Sequence, residues 1–492
     1  MTEIVALLDG REVGRVRQTR GRLGFRYTDS WRLADGAYPL SLSLPLLQAE
    51  HGHAAIEAFL WGLLPDNEIV LQRWGRRFGV SARSAFGLIK AVGEDCAGAV
   101  QFLTPDRLEA VTAGASDSVV WLTEDDVATR LRLLRDDAAA GRLAGDVGQF
   151  SLAGAQPKTA LLFDGRRWGV PSGRIPTSHI LKPALPNLDG HVENEHVCLN
   201  LMRALGLPAA RSEARMFGGE QAIVVERYDR VDIRAMAAAA AARAAARAAQ
   251  AAAPVAIGTE TARFAAEAAA AAAEAEMFGA FTKKVPFYRV HQEDLCQALG
   301  LPPARKYQND GGPSPAAVIE FLRSVISAGR QRPKNPSEGR APSAVAEDTA
   351  AFRDALIFNW LIGGTDAHAK NFSLLLGGGG LVRLAPLYDV ASALVYPHID
   401  PMKARMAMSI GGDYRLVLIG PHQWSRLAAD AKLDEAALTA RIIEMAATLP
   451  DLVSDEVRRA REAGLNHPVL QRMTDVLAER ARGCGRVFGA SG

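Results

Sequence analysis

Apolar and polar positions alternate in short runs over the first hundred residues. Beyond residue 290 they give way to longer runs with helical spacing. Residues 4–8 and 12–16 flank Asp9-Gly10, a pair suited to a tight primed turn, and predict a β-hairpin. Residues 23–27 predict a third strand. Residues 40–46 alternate Leu and Ser around prolines and predict an exposed or edge segment. Apolar spacing predicts helices over 56–64, 68–74 and 84–92. These elements make a small α+β module ending near residue 105.

A strand over 119–122 follows, then an acidic helix start at Glu124-Asp125-Asp126 and an amphipathic helix to about Arg135. A second region begins near Gln149. It holds a turn-rich loop over 150–158, a hairpin of 159–163 and 167–170 around Asp164-Gly165, and a strand over 178–182. A helix over 194–205 closed by Gly206 and a strand over 222–226 complete it. His291-Gln292-Glu293-Asp294 reads as the structural opening of a helix, its acids suiting the N-terminal dipole. Residues 295–299, 316–324 and 351–361 have helical spacing. Strands followed by helices predict two lobes, one sheet-rich and one mainly helical.

Two stretches look inserted. Residues 235–276 are dominated by alanine, with Arg243 and Arg247 in the first half and Glu267, Glu274 and Glu276 in the second. Alanine favours helix locally. It buries too little to pin a helix down, so a mobile surface insertion is the better expectation than a basic arm facing an acidic one. Residues 331–347, rich in Pro, Ser, Gly and charge, predict a flexible loop.

Composition narrows the class. The chain has 492 residues, 48% hydrophobic and 23% charged, with a formal net charge of +2. That is ordinary for a globular protein and gives no global pull toward nucleic acid or membrane. Cys96, Cys198, Cys296 and Cys484 lie far apart, so neither a disulfide framework nor a zinc site is expected. No secretory signal or spanning segment stands out, and a cytoplasmic enzyme with no membrane partner is the expectation.

The candidate chemistry centres on Thr365-Asp-Ala-His-Ala-Lys-Asn371, followed eighteen residues later by Asp389. Phosphoryl transfer needs such a set: one Asp to accept or orient the attacking hydroxyl, and an Asn and a second Asp to hold magnesium against the phosphates. Asp-x4-Asn alone is a common spacing. Its context strengthens it: a predicted strand over 372–376, a turn over 377–380 and a return strand over 381–384 would deliver Tyr388 and Asp389 beside Asp366. Upstream, Ala153, Gly154 and Ala155 are small enough for backbone N–H groups to approach phosphates, with Gln156 and Lys158 beside them. The Gly-Lys-Ser/Thr ending of a Walker loop is missing. Lys182 ends an apolar run and would need an anionic partner, with Glu195 the candidate and Glu193 the alternative. Glu226-Arg227-Tyr228 leaves a strand where backbone groups could meet an adenine edge; Arg227, Asp229 and Arg230 could equally form a surface ion-pair group. His368 would touch phosphate or magnesium, or only shape its loop.

The order of these motifs resembles the HipA family, the serine/threonine-kinase toxins of HipBA-type toxin–antitoxin systems. The resemblance runs from Ser-Leu-Ala-Gly-Ala-Gln-Pro-Lys-Thr through His-Ile-Leu-Lys-Pro, Val-Glu-Arg-Tyr-Asp-Arg and His-Gln-Glu-Asp-Leu-Cys-Gln-Ala-Leu-Gly to the Asp366 motif and Leu-Ala-Pro-Leu-Tyr-Asp-Val. Residues 39–46, 62–65 and 93–98 are similar to that family's N-terminal module. The resemblance covers roughly 3–230 and 285–450. It implies an α+β, two-lobed protein-kinase-like fold with an N-terminal α/β subdomain over 1–105. An ATP-binding lobe over 106–230, the insertion over 231–284 and a helical C-terminal lobe over 285–492 would follow. It implies ATP and Mg2+ as cofactors, Asp366 as catalytic base, Asn371 and Asp389 as metal ligands, and Lys182 on phosphate. Residues 153–158 would be the ATP loop and 226–228 the hinge. Ser151 falls where the family autophosphorylates, which expels the loop and switches the kinase off. The implied partners are a helix-turn-helix, HipB-like antitoxin, operator DNA through that complex, and a protein substrate such as an aminoacyl-tRNA synthetase. Gly364 departs from the Asn often found before Thr-Asp, and the alanine-rich insertion is a further departure. Two other functions stay open: a small-molecule kinase, and a DNA-bound co-repressor with weak kinase activity using the arginines between 458 and 486.

Overall fold

Asp9 and Gly10 both take left-handed backbone angles, φ +51° and +72°. That conformation closes a primed turn and folds β1 (Thr2–Leu8) onto β2 (Arg11–Thr19). With β3 (Arg22–Tyr27), β4 (Glu50–His51) and β5 (Gln101–Leu103) they form an antiparallel sheet in the order β4-β3-β2-β1-β5. The short α1 (Asp29–Arg32) follows β3; α2 (His53–Gly62), α3 (Glu68–Phe78) and α4 (Ala85–Val92) follow β4. Asn67 and Ser84 cap the starts of α3 and α4 through their side-chain oxygens. The computed structural model describes residues 2–137, 151, 153–154, 156–185, 188–233, 287–328 and 341–489, with backbone alone at 341–343. The alanine-rich stretch lies outside the described residues.

The second sheet runs β10-β11-β9-β7-β8-β6. Its strands are β6 (Ser118–Leu122), β7 (Thr159–Phe163), β8 (Trp168–Ser172), β9 (His179–Pro183), β10 (Ser212–Phe217) and β11 (Glu220–Glu226). Helix α5 (Leu108–Thr112) precedes it. Helix α6 (Glu124–Asp136) opens with a reciprocal Thr123–Asp126 capping box and buries Val127 and Leu131 against Leu161, Trp168 and Phe217 of the sheet. Helix α7 (His191–Ala204) joins the main core through Val192, Val197 and Leu201.

The remaining chain is mostly helical. β12 (Arg230–Asp232) pairs with β13 (Phe287–Arg289), and β14 (His291–Asp294), β15 (Ser373–Gly377) and β16 (Leu381–Leu384) form a three-stranded sheet. Helices α8 (Leu295–Ala298), α9 (Pro315–Ala328) and α10 (Ala341–Ile362) lie between β14 and β15. A ribbon of β17 (Arg405–Ile410) and β18 (Asp413–Arg415) precedes α11 (Pro421–Ala431), α12 (Glu435–Glu462) and α13 (Val469–Val487). Trp360 of α10 and Trp424 of α11 meet edge-on with ring centres 5.6 Å apart, both buried. Each such side chain contributes about 2–3 kcal/mol through burial.

Three expectations are corrected. Residues 40–46 are not an exposed edge: Leu40 and Leu44 are fully buried, the Ser41 and Ser43 hydroxyls donate to the Gln297 carbonyl, and the Leu42 N–H donates to Glu293. The Leu/Ser alternation is that of a strap, its apolar positions in the core and its hydroxyls answering backbone groups of the helical lobe. Residues 291–294 form β14 rather than a helix start; Asp294 alone caps α8, accepting from the Gln297 N–H at 2.9 Å. Helix α10 begins at Ala341, inside the predicted 331–347 loop, while residues 331–340 lie outside the described residues.

A buried charge cluster joins the N-terminal module to the second sheet. Asp95, after α4, accepts from Thr177, Arg230 and Arg289; Asp229 accepts from Arg227, Arg230 and the Gly98 N–H. Burial alone would raise the Asp95 pKa, but Arg289, Arg230 and Arg227 outweigh it and hold the group below the usual carboxylate range. Removing one member of a buried cluster leaves the others uncompensated. Asp95→Asn is therefore expected to lower the unfolding free energy by about 3–5 kcal/mol in urea titrations. Arg458→Ala, which breaks only exposed pairs with Asp455 and Glu462, should leave the midpoint in place.

Candidate active site

A cleft of about 730 Å³ lies where the second sheet meets the helical lobe. Lys182 stands at its centre. β9 is interior to its sheet, paired on one side with β7 and on the other with β11, so its register delivers this lysine to a buried position. Nζ donates to Glu195 Oε1 at 2.6 Å and to Asp389 Oδ1 at 2.7 Å. Glu195 is thus the partner; Glu193 instead accepts from Gln221. Burial would depress the Lys182 pKa, but the two carboxylates raise it, so the ammonium persists. Asp389 is the mirror case: burial pushes it up, and Lys182 and Lys158 more than reverse that.

The hairpin of β15 and β16 carries the two candidate loops. Their register pairs Leu374 with Leu384, which sets the chain after β16 beside the turn before β15. Asp389 follows with φ +58°, a left-handed angle rare for a residue with a side chain. Across the cleft, the Asn371 amide nitrogen donates to the Asp366 carbonyl at 2.7 Å, and both residues line the cavity. The Asp366 carboxylate is exposed and accepts from the Tyr307 hydroxyl at 2.5 Å. His368 is buried, and burial lowers its pKa, with Asp366 pulling the other way. Its Nδ1 has no hydrogen-bond partner among the described residues. Tyr388 lines the cleft, and its hydroxyl donates to the Lys370 carbonyl at 2.7 Å.

The loop over 151–158 borders the same cleft. Ala153, Gly154, Gln156 and Lys158 line it; Ala155 lies outside the described residues. Lys158 Nζ donates to the Ala153 carbonyl at 2.7 Å, and burial pushes its pKa down to about 8. Gly154 has φ +102°, and a Cβ there would meet Lys158 Nζ, so glycine is required. Ser151 is fully buried outside the cleft. Its hydroxyl donates to the Leu63 carbonyl at 2.7 Å and its N–H to the Asp95 carbonyl at 2.9 Å.

The stretch 226–228 lines the cleft where the hinge was expected. The Glu226 and Arg227 N–H groups are committed to the Arg211 and Ser178 carbonyls. The Arg227 guanidinium is buried in the Asp229 cluster, so the ion-pair group is interior rather than on the surface. Tyr228 packs 5.7 Å from Tyr388 and donates to Gln292. Gly364 also has a local explanation: the Asn359 side-chain oxygen fills the space a Cβ would need.

Sequence reasoning missed two contributors. Asp66, after α2, accepts from Lys370 at 2.5 Å and Lys306 at 2.9 Å, and its N–H donates to the Gly154 carbonyl. It directly follows the Gly62–Pro65 stretch singled out above, which was the available signal. Tyr307 stands in an irregular turn between α8 and α9, and no spacing marked it.

This is a two-lobed, protein-kinase-like fold with an added N-terminal module, and its cleft gathers a lysine–glutamate pair and two facing loops. The chain belongs to the HipA family. A model described as the HipA-like C-terminal domain matches residues 150–279 and 248–453, and the HipA N-terminal domain matches 4–103. The protein Y4mE of Sinorhizobium fredii is 32% identical over 476 residues, spanning 96% of each chain. The serine/threonine-protein kinase toxin HipA of Shewanella oneidensis is 25% identical, over 89% of this chain and 85% of that one. A solved Shewanella oneidensis complex of HipA, HipB and operator DNA matches with a TM-score of 0.70 at 21% identity, covering 99% of this chain and 98% of that one.

The Lys182 cluster makes a stability prediction. Lys182→Met leaves the buried Glu195 carboxylate and the partly exposed Asp389 carboxylate without their shared ammonium and is expected to cost about 3–5 kcal/mol. Adding Glu195→Gln should recover part of the loss, and the coupling is measurable by urea denaturation of the four forms. Strictly additive losses would show that the pair does not interact.

Proposed function

We propose that this chain is an ATP- and magnesium-dependent serine/threonine protein kinase, the toxin of a type II toxin–antitoxin system. The observation that carries this reading is Lys182, held between Glu195 and Asp389 in the cleft that the Asp366–Asn371 loop also lines. Lys182 and Lys158 meet phosphate oxygens, and the loop from Ala153 approaches them through its backbone. Asp366 accepts the proton of an attacking serine or threonine hydroxyl, whose oxygen bonds to the γ-phosphorus as the bond to ADP breaks.

Asn371 and Asp389 suit magnesium. The Asn371 nitrogen is committed to the Asp366 carbonyl, so its amide oxygen would be the ligand atom, and Asp389 would add a carboxylate. Among the described residues no three His, Cys, Asp or Glu side chains form a ready-made metal cage. Magnesium typically takes one or two protein oxygens and completes its shell with phosphate and water. Bound there, it would neutralise charge on the β- and γ-phosphates.

The substrate class is a translation protein, such as an aminoacyl-tRNA synthetase, and the site of action the cytoplasm; both rest on the family relation rather than on the cleft. No described helix is long and apolar enough to cross a membrane. A helix-turn-helix, HipB-like antitoxin is the expected partner, supported by the Shewanella complex. Among the C-terminal arginines, Arg458 and Arg459 pair with acids and Arg480 donates to the Trp360 carbonyl, so these three are not free donors for DNA. Operator contact would then fall to the antitoxin.

Asp366→Ala is expected to abolish ATP consumption and growth arrest while the far-UV spectrum and melting temperature stay as they are; equal toxicity of the variant would sink the kinase-toxin reading. Autophosphorylation at Ser151 would need the loop to leave its pocket, because a phosphate cannot occupy a fully buried site against a carbonyl. Ser151→Ala should therefore remove self-labelling by γ-labelled ATP, and a phosphopeptide map unchanged by the substitution would count against that role.

A further inference from the structure

The exposed carboxylate of Asp366 poses a problem of orientation. Its side chain is 67% exposed, so packing does not fix it. The Asn371 amide and the His368 N–H hold its backbone carbonyl, at 2.7 and 2.8 Å, and leave the carboxylate torsion open. That torsion is broad in aspartate. Among the described residues, the hydrogen bond to the carboxylate comes from Tyr307, 2.5 Å from Oδ1, while His368 Nε2 stands 4.0 Å away.

Tyr307 is itself held firmly. Its carbonyl accepts from the Gly312 and Asp310 N–H groups at 2.9 and 3.0 Å. Its ring stands edge-on to His368, centres 4.9 Å apart, and Lys306 Nζ lies 5.6 Å from the ring centre. Lys306 is anchored in turn by Asp66. A fixed donor on one oxygen chooses the rotamer and leaves Oδ2 for the acceptor.

We propose that Tyr307 is the positioning residue for Asp366, its hydroxyl holding one carboxylate oxygen so that the other meets the acceptor hydroxyl. This rests on the kinase reading above. General-base catalysis depends steeply on that alignment.

The test uses the full chain with Mg·ATP, following phosphate release to water and self-labelling from γ-labelled ATP. Tyr307→Phe keeps the ring and removes the donor. The expected result is a fall in kcat of about tenfold or more, the size of one lost hydrogen bond to a charged group. KM for ATP should stay within about twofold, because the contact lies away from the nucleotide loop. Para-aminophenylalanine at 307, which restores a donor, should recover most of kcat; a purely structural tyrosine would not distinguish the two replacements. A Tyr307→Phe protein with unchanged or raised kcat overturns the proposal, the latter marking a plug in the acceptor's place. So does a loss that para-aminophenylalanine fails to rescue. Asp366→Asn separates the two levels. If it still turns over ATP, the kinase reading falls and takes this inference with it. If it is inactive while Tyr307→Phe is unimpaired, only the role of Tyr307 falls.

Discussion

A buried ammonium must have anionic partners, and much of the cleft follows from that requirement at Lys182. Leaving such a charge uncompensated costs several kcal/mol. Its partners come from 13 and 207 residues away, so satisfying it docks α7 against the sheet and brings the loop after β16 up to β9. The same contact helps hold Asp389 at φ +58°, a conformation that costs about 1–2 kcal/mol in a residue with a side chain. Strain of this kind persists where the surroundings over-determine it, and functional sites are where it gathers.

The N-terminal module is part of this machinery rather than an appendage. Asp95 answers three arginines drawn from the chain after β11 and from β13, and its carbonyl also receives the Ser151 N–H. Leu63 receives the Ser151 hydroxyl. Glu293, buried and pushed up to about 8 by that burial, receives the Leu42 N–H of the strap. Charges and backbone groups that would be unsatisfied in either part alone find their partners in the other.

What was legible in the sequence was what local rules write. Asp9-Gly10 specified its turn, Glu124-Asp125-Asp126 its helix start, and the run ending in Lys182 its strand, because each depends on neighbours a few residues away. The spacing of Asp366, Asn371 and Asp389 was legible for the same reason: one hairpin sets all three. Contacts across hundreds of residues were not. The Leu/Ser alternation of 40–46 has strand period, but its hydroxyls are answered by Gln297, some 250 residues on. Arg227 looked like a surface charge because Asp95, which joins it and Asp229 in the buried cluster, lies far away along the chain. Tyr307 reaches Asp366 across 59 residues from an irregular turn, where neither period nor motif applies.

Asp66 shows how the proposed switch can act without dismantling the lobes. Its N–H holds the Gly154 carbonyl, while its carboxylate holds Lys306 and Lys370 beside the Asp366–Asn371 loop. Departure of the 151–154 segment would break the Asp66–Gly154, Ser151–Asp95 and Ser151–Leu63 hydrogen bonds. Each is worth about 1 kcal/mol net, so the three together oppose departure by only a few kcal/mol. A phosphoryl group on Ser151, carrying nearly two negative charges into a fully buried site, would outweigh that sum. The ion pairs of Asp66 survive the movement, because they run to the helical lobe and not to the loop. Loss of the loop would therefore take Gly154 and Lys158 out of the cleft while Asp366, Asn371, Asp389 and Lys182 keep their places.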